Sequence, residues 1–273
     1  MATTRRVRGW VLGVLTALQL SHLLSSEGRA VASDSGVLPS VPVANSEDVA
    51  APENARWVLA SSMASGDIRS ALYAIRKSTL QTVQLYPAAG ETALPAIPLD
   101  APSRPVTACS AEPLAHEYSG HGVAFRAQSG DAGTLYVVNH GRGETIEIFR
   151  VSRLRSNRAP PRLVWLGCVP LPPGTVGNAV TVTPDGQLFA TITPVENGAP
   201  QLAGVRSWTS SEGWSAVPGS SLRIPTGIAL APDGHRLYVS SFVDRIVREI
   251  PLNSPGTTVR EGAVPFGPDS SMV

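Results

Sequence analysis

At 273 residues, with a formal net charge of +1 and 16% charged residues, the chain carries too much apolar character and too little charge for a disordered protein. Its 25 glycines and 24 prolines suit many short strands joined by tight turns better than long solvated helices. No basic run is interleaved with aromatic residues, so nucleic acid is not an expected partner.

The N-terminus reads as a targeting segment. Arg5, Arg6 and Arg8 form a positive region. Residues 10–24 are an apolar stretch broken by Gln19, Ser21 and His22. Ala30, Val31 and Ala32 form a small-residue cleavage site. The stretch is shorter than the roughly 20 residues a membrane span needs. The expectation is a cleaved signal peptide over residues 1–32 and no stable membrane span, with a retained anchor as the alternative. Export then delivers the chain to the periplasm or outside the cell. Residues 1–32 hold four Arg and one Glu, so cleavage leaves a net charge of −2, and the basic patch belongs to export. Residues 33–45 read as a linker and residues 46–273 as the folded domain.

Within that domain one design recurs. A turn at residues 130–133 leads into the apolar run 134–138. Thr183, Pro184, Asp185 and Gly186 lead into residues 187–191. Ala231, Pro232, Asp233 and Gly234 lead into residues 237–240. The Pro-Asp-Gly turns are hairpin chemistry, because Pro presets the first corner and Gly accepts a positive φ. Short strands precede the two Pro-Asp-Gly turns, at residues 179–182 and 227–230. Leu135 and Leu188 stand 53 residues apart, and Leu188 and Leu237 stand 49 apart. A strand-rich unit of that length matches one four-stranded propeller blade. Further strands are predicted at residues 145–151, 162–166, 202–208 and 246–250. A fainter copy lies at 56–60, 71–75 and 82–86. A β-sandwich also has short strands and turns, but it does not predict a unit recurring near 50 residues. Cys109 and Cys168 either pair as a disulfide, which export favours, or remain two buried thiols.

Small residues at Gly122, Gly177 and Gly227 suit inner strands crowded around a central channel. The residues just before those strands are predicted to face the channel mouth: Glu47 and Asp48, His121, Asn178 and Thr226. His140 joins them from the end of the run 135–139. The turn at Gly141, Arg142 and Gly143 reads as a hairpin rather than a phosphate loop, since Ile146 occupies the third glycine position.

These segments resemble the paraoxonase/arylesterase family. Ser46-Glu47-Asp48-Val49 resembles its first calcium-binding strand. His121-Gly122, with His140 19 residues on and residues 144–149 after it, resembles its paired-histidine segment. Gly177-Asn178-Ala179-Val180 and Pro225-Thr226-Gly227-Ile228 resemble its later ligand strands, and also fit the wider gluconolactonase and strictosidine-synthase-like superfamily. The resemblance implies an all-β, six-bladed β-propeller with a channel calcium ion and lactonase or arylesterase activity on a small-molecule lactone or ester. It implies Glu47, Asn178, Thr226 and Asp269 as calcium ligands, His121 as general base and His140 as its hydrogen-bonded partner. Calcium takes six to eight oxygens, and histidine titrates near neutrality.

The chain departs from the family pattern in three places. Thr226 stands where the family has asparagine. Ala179 stands where paraoxonases place an aspartate for a second calcium. The 241 residues after the signal peptide suffice for four to five blades of about 50 residues, fewer than six. The expectation is therefore an incomplete ring, in which Gly267-Pro268-Asp269-Ser270-Ser271 resembles the beginning of a later calcium strand and the chain stops at Val273. A non-catalytic ligand- or protein-binding propeller and a gluconolactonase-type sugar-lactone hydrolase are the alternative readings.

Overall fold

The computed structural model describes residues 41–88, 109–195, 203–253 and 259–269. The expected signal peptide and residues 33–40 of the linker lie outside them. Among the described residues, strands form four antiparallel sheets of four, each a meander in chain order. The first holds β1 (Ser46–Ala50), β2 (Trp57–Ser62), β3 (Leu72–Arg76) and β4 (Thr82–Tyr86). The second holds β5 (Gly120–Ala127), β6 (Ala132–Asn139), β7 (Thr145–Ser152) and β8 (Arg162–Pro170). The third holds β9 (Thr175–Val182), β10 (Leu188–Pro194), β11 (Gly204–Thr209) and β12 (Gly213–Ala216). The fourth holds β13 (Pro225–Leu230), β14 (Arg236–Ser241), β15 (Ile246–Pro251) and β16 (Arg260–Ala263). The first strands neighbour one another in order, β1 against β5, β5 against β9 and β9 against β13. This is an all-β, propeller-like arrangement of four blades.

The second strand of each blade explains the packing. Side chains alternate across a strand, and β6 is apolar on both faces. Leu135 and Val137 pack with Trp57, Leu59, Leu72 and Tyr86 of the first blade. Tyr136 and Val138 pack with Val180, Leu188 and Ile192 of the third. A third cluster joins Phe189 and Val205 to Ile228, Leu237, Val239 and Ile250. Each fully buried Leu, Ile or Phe contributes about 1.5–3 kcal/mol, so the cores lie between blades and set their order.

The outermost strands β12 and β16 escape the sequence reading. Neither has a buried residue, so burial leaves no apolar alternation to read. The Pro-Asp-Gly turns fall where expected, with Gly186 and Gly234 at φ 100° and 73°.

Cys109 and Cys168 are joined in a disulfide with their Cα atoms 5.5 Å apart, settling the two readings in favour of pairing. The bond fastens the segment before β5 to the buried middle of β8. Closing a loop of this length removes unfolded-chain entropy worth about 4 kcal/mol. Replacing both cysteines by serine is expected to lower the unfolding free energy by about that amount, measured by urea unfolding as a fall in the midpoint, with a steeper slope because the unlinked chain unfolds to a more open state.

Candidate functional site

The first strand of every blade loses register with the second at the same place. Pairing breaks between Ser46 and Val49 in β1, Gly120 and Val123 in β5, Gly177 and Val180 in β9, and Pro225 and Ile228 in β13. The skipped residues are Glu47 and Asp48, His121 and Gly122, Asn178 and Ala179, Thr226 and Gly227. Such irregularities bend a strand and re-aim its side chains. The sequence reading put these residues ahead of the strands; they lie inside them, at the bulge.

Hydroxyls from the second strands hold three of the bulges. Asp48 N–H donates to Ser61 Oγ at 3.2 Å, Ala179 N–H to Thr191 Oγ1 at 2.9 Å, and Gly227 N–H to Ser240 Oγ at 2.8 Å. Two of these hydroxyls also reach the next blade. Ser61 donates to the His121 carbonyl, and Thr191 donates to the Thr226 carbonyl at 2.7 Å. In the second blade Gly122 permits close approach instead. A Cβ there would strike the Asn178 carbonyl and the Ala179 Cα, so only glycine fits.

Asp48 links two strands. Its carboxylate accepts N–H of Val49 through Oδ1 and of Val123 through Oδ2, both at 2.8 Å, clamping β1 to β5. Burial pushes its carboxyl above the usual range, against those two hydrogen bonds.

The histidines meet as expected. His121 Nδ1 lies 3.0 Å from His140 Nε2. The other nitrogen of His121, Nε2, faces Glu47 Oε2 at 3.6 Å, beyond a hydrogen bond. Burial, with the neighbouring His140, pulls the His121 pKa below 6.5 despite the opposing charges of Asp269 and Glu144. Burial thus favours the neutral form of its imidazole. Sequence reasoning missed Glu144, whose carboxylate lies 2.9 and 3.0 Å from His140 Nδ1. The spacing of four residues spans a hairpin turn, so no helical or strand periodicity marked the pair. A His and a Glu flanking the Gly141–Gly143 turn was the available signal.

The hairpin carrying His140 and Glu144 is fixed from below by Glu147, fully buried on β7. Its carboxylate accepts from Arg142 Nε and Nη2 at 3.0 and 2.9 Å, Thr145 Oγ1 at 2.8 Å, Trp165 Nε1 at 2.8 Å and Asn139 Nδ2 at 3.2 Å. Breaking a buried pair of this kind costs about 3–5 kcal/mol. Arg142 thus serves the turn, as the hairpin reading required.

The exposed Asp269 bears electrostatically on Glu47, Asp48 and His121. Thr226 holds the residue before it: its buried hydroxyl donates to the Pro268 carbonyl at 2.7 Å and lies 3.1 Å from Ser240 Oγ. Burial, then Asp269, raises the Glu47 pKa, the mark of two carboxylates sharing a field. Asn178 is half-buried, and its side-chain amide has no hydrogen-bond partner among the described residues. Among those residues, no three His, Cys, Asp or Glu side chains form a metal cluster by themselves. Glu47, Asp269 and Asn178 carry hard oxygen donors, the atom type that calcium takes.

No protein-family model matches the chain, and no curated protein does. Among solved structures it is similar to a chain of a nidogen/laminin complex, with TM-score 0.50, 10% identity, and coverage of 84% of this chain and 68% of that one. It also matches a luciferin-regenerating enzyme, with TM-score 0.48, 13% identity, and coverage of 84% and 65%. A gluconolactonase from Xanthomonas campestris matches with TM-score 0.48, 18% identity, and coverage of 84% and 66%. The chain thus spans about two thirds of the length of these structures. At such identities the likeness concerns the fold alone.

Because the folded protein binds the His121 proton less tightly than the unfolded chain, this group favours folding less as pH falls through its titration. Histidine-detected NMR titration of the calcium-free protein is expected to give a His121 midpoint below 6.5. A midpoint above that value would mean that the acidic neighbours outweigh burial.

Proposed function

We propose that the chain is an exported, calcium-dependent hydrolase of lactones or aryl esters, related to the paraoxonase and gluconolactonase type of propeller. One observation carries this reading. The nitrogen of His121 that is not engaged with His140 faces the Glu47 carboxylate at 3.6 Å. A histidine base thus stands beside a carboxylate of the kind that calcium takes.

Glu47, Asp269 and Asn178 would hold the calcium ion, with Thr226 seating the Asp269 segment. Calcium, when bound, polarises an ester carbonyl and stabilises the charge developing on its oxygen. His121 Nε2 takes a proton from the attacking water. The oxygen adds to the carbonyl carbon, the acyl C–O bond breaks, and the alkoxide leaves with a proton returned through His121. His140 bears on the opposite nitrogen and keeps the ring from turning. Export is supported by the leader-like residues 1–32 and by the Cys109–Cys168 disulfide, a bond suited to an oxidising compartment.

Hydrolysis of phenyl acetate and of a simple lactone should be measured with calcium, with chelator, and for His121→Gln. Chelation should abolish activity, and His121→Gln should reduce it by about 10²–10⁴-fold. Calcium should raise the melting temperature of the wild type, and Glu47→Gln should remove that rise. Activity indifferent to chelator and to His121→Gln would overturn the mechanism. Calcium binding without hydrolysis would leave a ligand-binding propeller.

A further inference from the structure

We propose that Glu144 is the positioning residue of the histidine pair, fixing the tautomer of both rings and so leaving Nε2 of His121 as the free proton acceptor. The kinetic consequence rests on the hydrolase reading; the tautomers follow from geometry alone.

Glu144 closes the turn between β6 and β7 and meets two partners. Gly177 N–H donates to its Oε2 at 3.0 Å. His140 Nδ1 lies 2.9 Å from Oε1 and 3.0 Å from Oε2. An ionised carboxylate only accepts hydrogen bonds. Nδ1 of His140 therefore carries the hydrogen. In a neutral imidazole the other nitrogen is then an acceptor. That nitrogen, Nε2, is the one 3.0 Å from His121 Nδ1, so His121 donates there. The lone pair of His121 is left on Nε2, on the side of Glu47. A buried carboxylate sets the histidine tautomer of a catalytic triad in the same way. Here it acts through a second imidazole. Gly177 precedes Asn178, so the same carboxylate also ties the orientation of the base to the strand that presents Asn178.

An amide at this position reverses the pattern. Gln has one accepting end and one donating end. Gly177 N–H takes the accepting end, so the NH₂ end faces His140. That arrangement sets an NH₂ group where Oε1 lay, 2.9 Å from His140 Nδ1, and so favours the tautomer in which Nδ1 is bare and Nε2 carries the hydrogen. His140 then donates to His121 Nδ1, and His121 Nε2 becomes an N–H that cannot take a proton. Glu144→Asp keeps an acceptor-only group.

The test is ¹⁵N-histidine NMR of the full folded chain at mildly alkaline pH. Wild type, Glu144→Gln and Glu144→Asp are compared, with the His140 signals assigned from His140→Gln. Wild type and Glu144→Asp should show both rings as Nδ1–H tautomers, and Glu144→Gln both as Nε2–H. In the hydrolysis assay Glu144→Gln should lower kcat by about 10²–10⁴-fold with KM little changed. A wild-type His140 in the Nε2–H form, or wild-type tautomers retained in Glu144→Gln, would overturn the proposal even if the wild type is an active hydrolase. Tautomers as stated in a wild type that cleaves neither substrate would sustain the role of Glu144 and remove the hydrolase reading.

Discussion

The site depends on one repeated backbone irregularity. In a regular strand, residues such as Glu47, His121, Asn178 and Thr226 would alternate into the blade-to-blade cores or away from them. The register break at the same point of β1, β5, β9 and β13 takes them out of that alternation. Bulges cost ladder hydrogen bonds, and buried N–H groups left without partners are expensive. Ser61, Thr191 and Ser240 supply the missing acceptors from the neighbouring strand. Because Ser61 and Thr191 also reach the next blade, what holds a bulge also sets the spacing between blades.

A second layer of constraint makes the β6–β7 hairpin rigid. Asn139, at the end of β6, ties the turn to the segment before β5, accepting from Ser119 N–H at 2.7 Å and Gly141 N–H at 2.9 Å. Glu147 beneath it is saturated by four residues, and Cys168 pairs with Glu147 across the β7–β8 ladder. The disulfide therefore fastens the segment before β5 next to this buried carboxylate. His140 and Glu144 are carried on a turn whose support is polar and buried. Such support specifies one geometry, since any partial version of it leaves a charge unpaired.

Much of this was legible in the amino-acid order. The Pro-Asp-Gly turns and the apolar runs after them located β9, β10, β13 and β14, because turn chemistry and burial act on neighbouring residues. Comparing equivalent positions of the repeat then singled out Glu47, His121, Asn178 and Thr226. β12 and β16 were not legible, since exposed edge strands carry no burial pattern. Glu144 was not legible because its function needs a turn to fold it back onto His140. Only the bulge geometry shows that Asp48 clamps two blades and that the Thr226 hydroxyl engages the Pro268 carbonyl.

The central claim is that the bulges gather oxygen donors and a neutral imidazole at one mouth. The most direct measurement is anomalous diffraction from a crystal soaked in a lanthanide, a calcium surrogate. The account predicts a single strong peak within bonding distance of the Glu47 and Asp269 carboxylates and the Asn178 amide, beside His121. A well-ordered mouth with no peak there, or a peak held by other residues, would contradict it.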